Sequence, residues 1–309
     1  MESVTLLAST GSQQIDDILR GAIGILEITF PERIKAYYLH GSFFDDTAIP
    51  TSDIDLFLVT QGKFSAEEHT KMQHIMHFCA LFSPFMVEMM ALDDASLLQN
   101  GHYRIKSASK LLRGIDIRAS MPQQTLEQYL YTYASFPFIY SANMLRNMKS
   151  IVLPLTYPQA EGEFYGYDQQ LLPPKNEQHH NIKKLVTGVC WTATVLIAWK
   201  AGKTVSGKRA SVEMYREYVH DEWTGLIEEM YEMGNRQWHY LVPFEQEKRR
   251  HLRSLCTKVV AFENHYLQYY WAYLQTEMQQ GGERMLAAMQ RLKAIGTPSL
   301  YKGLSLKIV

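Results

Sequence analysis

Leu39-His40-Gly41-Ser42, then ten residues ending in Thr51-Ser52, then Asp53-Ile54-Asp55-Leu56, is the stretch on which the reading of the fold turns. Before it, Ile34 to Leu39 is a short β-rich run that stops at the small pair Gly41 and Ser42. After it, Ile54 to Val59 is a second apolar strand ended by Gly62. Both runs have strand composition and turn residues at their ends. Side chains alternate along a strand, so Asp53 and Asp55 share a face about 6 to 7 Å apart, while Ile54 and Leu56 point into the core.

Working outward, Ile15, Ile18, Leu19, Ala22 and Leu26 recur with helical spacing over residues 12 to 29, with Ser12 as the expected N-cap. Ser65 opens a helix to about Phe82, and Pro84 releases the chain into a third strand, Phe85 to Leu92. That strand carries Glu88, the only acid between Phe78 and Leu92, and it is expected on the same face as the aspartate pair. From about Leu126 the pattern changes to long helical periods, at 126 to 152, 177 to 201, 208 to 234 and 243 to 292. The turn-rich segment Thr156 to Asn176 reads as a long loop between the first two. Two domains follow, 1–125 and 126–309. The expected class is α+β: a small mixed sheet flanked by helices, followed by an all-α bundle.

Two like charges held together are costly unless a cation neutralises them, and hard carboxylate oxygens suit Mg²⁺ bridging to phosphates. A glycine at a strand end lets backbone N–H groups approach a phosphate, and the following serine adds a hydroxyl. Taken alone, the Asp-x-Asp is more often a solvated turn. With Gly41-Ser42 upstream and Glu88 downstream, a metal and phosphate site is the stronger reading.

This pattern resembles the polymerase-β-like nucleotidyltransferase superfamily over roughly residues 12 to 95. The resemblance implies that Asp53 and Asp55 hold two Mg²⁺ ions on a nucleoside triphosphate, with Gly41, Ser42 and Ser52 at the nucleotide. It leaves Glu88 two jobs, third metal ligand or general base, of which the base is favoured. The segment Trp199 to Ala210 is similar to the helical domain of the streptomycin/spectinomycin adenylyltransferases, with Gly207 as one additional residue. That similarity implies Lys208 at the triphosphate, Glu88 as base, and a helical domain completing the nucleotide and acceptor cleft. The expected reaction is transfer of AMP from ATP to a hydroxyl of a small aminoglycoside-like acceptor. Its rivals are nucleotidyl transfer to protein or RNA, as in toxin–antitoxin pairs, and a non-catalytic nucleotide-sensing or partner-binding protein on the same fold.

Several features are set aside. Gly202 through Lys208 satisfies G-x-x-x-x-G-K, but Arg209 stands where a P-loop needs serine or threonine, and a helix precedes it. His74 and His77, and His179 and His180 at a helix start, lack a converging third ligand. His40 lies beside the phosphate turn, with packing and catalytic roles both open. Glu161, Glu163, Tyr165, Tyr167, Asp168, Asp221, Glu222 and Trp223 could attract a polycation, although such faces are ordinarily solvated. Tyr266, Tyr269, Tyr270, Trp271 and Tyr273 cannot share one helix face, which suggests core plus interface and a possible homodimer.

With 31 basic against 32 acidic residues, the chain lacks the charge to coat nucleic acid. Cys79, Cys190 and Cys256 show no ligand spacing, and they read as buried small hydrophobes of a reducing compartment. No export signal is visible, and Leu185 to Trp199 reads as a core helix rather than a membrane span. A cytoplasmic location is expected.

Overall fold

The structure is a computed structural model that describes residues 4–147, 153–168, 170–172 and 176–294. The chain divides into two compact units, Met1–Gln128 with Leu172–Gln178, and Tyr129–Leu171 with His179–Val309. The expected class, α+β with a small mixed sheet followed by a helical part, is the observed one.

In the first unit, α1 (Gln13–Thr29) leads into β1 (Ile34–His40), and a 3-10 turn at Gly41–Phe43 follows directly. β2 (Ile54–Thr60), α2 (Ala66–Phe82) and β3 (Val87–Asp93) come next, then α3 (Asp94–Asn100), α4 (Tyr103–Ser107) and β4 (Ser109–Gly114). The sheet order is β3-β2-β1-β4. β1 runs antiparallel to β2 and β4, while β2 and β3 are parallel, as a helical connection between them requires.

Alternation gives the sheet two buried faces. Leu39, Ile54, Leu56, Leu58, Val87, Met89 and Leu112 pack with Ile15, Leu19, Ile23 and Leu26 of α1 and Met72 and Ile75 of α2. On the other side Ala36, Tyr38, Phe57 and Val59 pack with Leu97 of α3 and Ile105 of α4. Ser65 caps α2 with a full capping box to Glu68. Ser12 sits at the N-cap of α1 without a side-chain bond; the nearby hydroxyls of Ser9 and Thr10 instead donate to Asp16 at 2.6 and 2.7 Å. β4 was not anticipated, because Ser109-Lys110-Leu111-Leu112-Arg113-Gly114 alternates weakly and owes its strand to pairing with β1.

The second unit is helical. The stretch expected as one helix from 126 breaks into α5 (Leu126–Tyr133), α6 (Phe136–Phe138) and a π-helical segment Ile139–Met144; 148–152 lie outside the described residues. The expected loop contains turns and a short strand, β5 (Gln170–Leu172), paired with β6 (Asn176–Asn181). His179 and His180 therefore belong to a strand, not a helix start. α7 (Lys183–Ala201) begins two residues after that strand, and most of its residues are buried from Leu185 to Ala198, as a core helix should be. Gly202 closes it in the left-handed conformation.

α8 (Lys208–Tyr218), α9 (Thr224–Glu229) and a π-helical segment Met230–Gln237 replace the expected single helix from 208. α10 (Gln246–Gln279) and α11 (Gly282–Ala294) meet at Gly281, where φ is +73°. Tyr266 and Tyr270 of α10 are buried, and Trp199 of α7 stacks on Tyr266 and Tyr269. The aromatic run is thus largely core. Of the acids considered for polycation docking, Glu163 is paired with Arg249, and Asp221 with Lys200 and the Tyr215 hydroxyl. No helix among the described residues is long and apolar enough to cross a membrane.

Candidate active site

The site stands at the end of β2 nearest the turn from β1. In the parallel β2–β3 ladder Asp55 lies directly opposite Glu88, and in the antiparallel β1–β2 ladder it lies opposite His40. Pairing of Asp55 with Glu88 puts both carboxylates on one face, and Asp53, two residues earlier, joins them. Each of the three acids offers an oxygen such that all three lie within 4.8 Å of one another; the aspartates are half-buried and Glu88 is exposed. Three negative charges at that spacing repel by about 3 kcal/mol per pair at an effective dielectric constant of about 20, before solvent and salt reduce it. Divalent cations relieve that repulsion, and the all-oxygen donor set fits Mg²⁺.

Gly41 explains why the acids can sit so close to the turn. Its φ is +72°, and a Cβ built there would collide with Asp55 Oδ2 and stand 3.0 Å from Asp55 Cγ. The absent side chain therefore leaves the space that the carboxylate occupies. The turn is tied down behind it: Phe44 and Asp45 donate N–H to the Gly41 carbonyl at 3.0 and 3.2 Å, and Thr47 donates to the Ser42 carbonyl at 3.0 Å. Ser52 is buried, and its Oγ accepts the Ile49 N–H at 3.0 Å, a bond that shapes the approach to Asp53. Ile54 N–H donates to the Met86 carbonyl at 2.8 Å, anchoring the start of β2 to the start of β3.

The structure brings Asp53, Asp55 and Glu88 together and places Gly41 against Asp55. It places Lys208 in the second unit, as the first residue of α8, with its ammonium 5.4 Å from the centre of the Tyr240 ring. His40 is packed rather than presented: its ring lies flat on Phe57, with centroids 3.7 Å apart. Burial, aided by the charge of Arg104 and by His102, holds its imidazole well below the usual titration range.

Two groups against Phe57 escaped the sequence reading. His102 meets Phe57 edge-on at 5.1 Å and caps α4 by accepting the Ile105 N–H on Nδ1 at 3.3 Å. Burial, then Arg104, pushes its imidazole down to about 4. Arg104 places its guanidinium carbon 6.0 Å from the centre of the Phe57 ring. A five-residue helix leaves no periodicity, so the only signal was the spacing of His102 and Arg104 after Gly101.

This geometry, a β1-turn-β2 unit presenting acids beside a glycine corner with a third acid on a parallel neighbour, is that of a nucleotidyltransferase domain. The family model described as the nucleotidyltransferase domain matches residues 19–113, which include every strand residue carrying the row. The expected enzyme class, nucleotidyltransferase, accords with that match. Among solved structures, the spectinomycin adenyltransferase AAD(9) from Enterococcus faecialis, determined with ATP and spectinomycin, is similar at 11% identity. The match covers 83% of this chain and 97% of that one, with a TM-score of 0.48. No curated protein matches the chain.

Proposed function

We propose that the protein transfers a nucleoside monophosphate, AMP from ATP, to a hydroxyl of a small acceptor of aminoglycoside type, in a Mg²⁺-dependent reaction that releases pyrophosphate. The observation that carries this reading is the meeting of Asp53, Asp55 and Glu88 within 4.8 Å on one sheet face inside a nucleotidyltransferase domain. Asp53 and Asp55 would hold two Mg²⁺ ions. Bound there, the ions would stabilise charge developing on the phosphoryl and pyrophosphate oxygens.

Glu88 is assigned the proton. The acceptor O–H gives its proton to the Glu88 carboxylate as the acceptor oxygen bonds to the α-phosphorus. The bond from that phosphorus to the bridging oxygen breaks, and its electron pair leaves with pyrophosphate. Proton removal of this kind contributes about 10²–10⁴-fold. The Gly41-Ser42 turn and Ser52 are assigned to the nucleotide from their place beside the row. Lys208 is assigned to the triphosphate, and the aminoglycoside class to the acceptor, on the resemblance of residues 199–210 alone.

Incubation with labelled ATP and Mg²⁺ plus aminoglycosides, tRNA or cell lysate tests the proposal. Label on an aminoglycoside supports it as stated, while label on tRNA or a lysate protein keeps the chemistry and replaces the acceptor. Asp53→Asn and Asp55→Asn should each abolish transfer in folded protein, and turnover retained by either would remove the metal assignment.

A further inference from the structure

The sheet face that carries the three acids carries groups the proposed chemistry does not use. Alternation puts His40, Asp55 and Phe57 on that face, with His40 opposite Asp55. Phe57 lies two residues beyond Asp55, about 7 Å along the strand. Against its ring stand three groups: His40 stacked at 3.7 Å, His102 edge-on at 5.1 Å, and the guanidinium of Arg104 at 6.0 Å. Arg104 therefore stands against the ring that follows Asp55 by two residues on the strand, close enough for its charge to act on His40, the cross-strand neighbour of Asp55.

Its neighbours make that position matter. Both imidazoles are kept neutral by burial, so the guanidinium is the permanent positive charge of this aromatic group. Arg20, on α1, is paired with Asp17 and is the arginine for comparison. Lys106, on the same short helix as Arg104, donates to the carbonyls of Arg118 and Met121. A guanidinium carries a planar fork of N–H donors, which matches two phosphate oxygens at once.

We propose that Arg104 is a phosphate-contacting residue. It engages oxygens of a bound nucleoside triphosphate, and in nucleotide-free protein its charge competes with divalent cations for the carboxylate row. The proposal rests on the reading of that row as a nucleotide site. It has two consequences of opposite sign. Removing the charge should tighten binding of a bare divalent ion and weaken binding of the triphosphate, whereas damage to the scaffold would weaken both.

The test measures Mn²⁺ binding to nucleotide-free protein by electron paramagnetic resonance. It measures binding of Mg²⁺·α,β-methylene-ATP, which cannot be cleaved at the reacting bond, by calorimetry. Arg104→Gln should bind Mn²⁺ about threefold or more tighter as the repulsion is removed. The same variant should bind the ATP analogue at least ~10-fold more weakly, the usual loss for a hydrogen bond to a charged group. Arg104→Lys should recover part of the analogue affinity, and Arg20→Gln should match the wild type in both assays. Unchanged analogue affinity in Arg104→Gln, or Mn²⁺ and analogue affinities falling together, would overturn the proposal. A wild-type protein that binds Mn²⁺ but no nucleotide would instead end the nucleotidyltransferase reading, and the proposal with it, before any variant is compared.

Discussion

Gly41→Ala is the substitution with the most sharply divided consequences. Its new methyl group must enter the space held by the Asp55 carboxylate, with Asp55 Cγ already 3.0 Å from the ideal Cβ position. Its backbone must also hold φ near +72°, which costs a non-glycine residue about 1–2 kcal/mol. The strain alone would lower the melting temperature by several degrees, roughly 2–8 °C per kcal/mol for domains of ordinary size. The larger effect falls on function. The Asp55 side chain has to swing away by about 1 Å or more, and misplacement of that order costs about 10²-fold in rate. Mn²⁺ titration and thermal melting read the two effects separately and need no acceptor. The expected result is a folded protein, modestly destabilised, with Mn²⁺ affinity reduced at least ~10-fold through loss of one correctly placed carboxylate. A variant with wild-type Mn²⁺ affinity would refute the argument that this glycine exists to admit Asp55.

Glu88→Gln is expected to lower kcat by about 10²–10⁴-fold with little change in nucleotide affinity if Glu88 is the base, whereas equal losses in both would make it a metal ligand. Arg146→Met should cost about 3–5 kcal/mol of stability in denaturant unfolding. It leaves buried Glu263, which accepts from Arg146 at 2.6 and 3.1 Å and from the Tyr167 hydroxyl at 2.8 Å, without its main cation. A loss below about 1 kcal/mol, as for a surface pair, would contradict that account. His102 sets a pH dependence whose sign is fixed: its folded pKa of about 4 lies below the unfolded value of about 6.5, so the unfolded chain takes the proton first. Stability should therefore fall as pH drops from about 6.5 towards 4, by up to about 3 kcal/mol from this group. His102→Asn keeps a capping acceptor and should flatten that slope in urea melts of metal-free protein. An unchanged slope would refute the assignment.

The fold was legible where a period is long enough to be seen. α1 carries apolar residues at clean helical intervals, β2 is a near-continuous apolar run, and Ser65 marks the start of α2 within a residue. β4 was illegible because an edge strand of six residues is specified by its partner: Tyr38 pairs with Leu111 and His40 with Ser109, and nothing local demands it. The helical periods of the second unit were read as continuous where the chain interrupts them. Gly281 carries a positive φ that cuts α10 from α11, and His220, with φ +43°, lies in the break after α8. Neither residue disturbs hydrophobic periodicity, so pattern alone ran through both.

The site divides along the same line. Asp53 and Asp55 were readable because their spacing is local, and Glu88 because a lone acid on an apolar strand has to face away from the core. Their convergence required a register that no residue announces: a slip of one position between β2 and β3 would turn Glu88 to the face of Val87 and Met89, against α2. The hydrogen bond from Ile54 N–H to the Met86 carbonyl, at 2.8 Å, fixes that register at the mouth of the site. Burial then enforces it, because a slip would put Val87 and Met89 into solvent and the Glu88 carboxylate into the core. The packing of the apolar face thus places the acids on the other. Arg104 lies beyond even this logic. It stands over the ring of Phe57, on a helix too short to leave a trace, and only the folded chain brings a guanidinium to that side of the sheet.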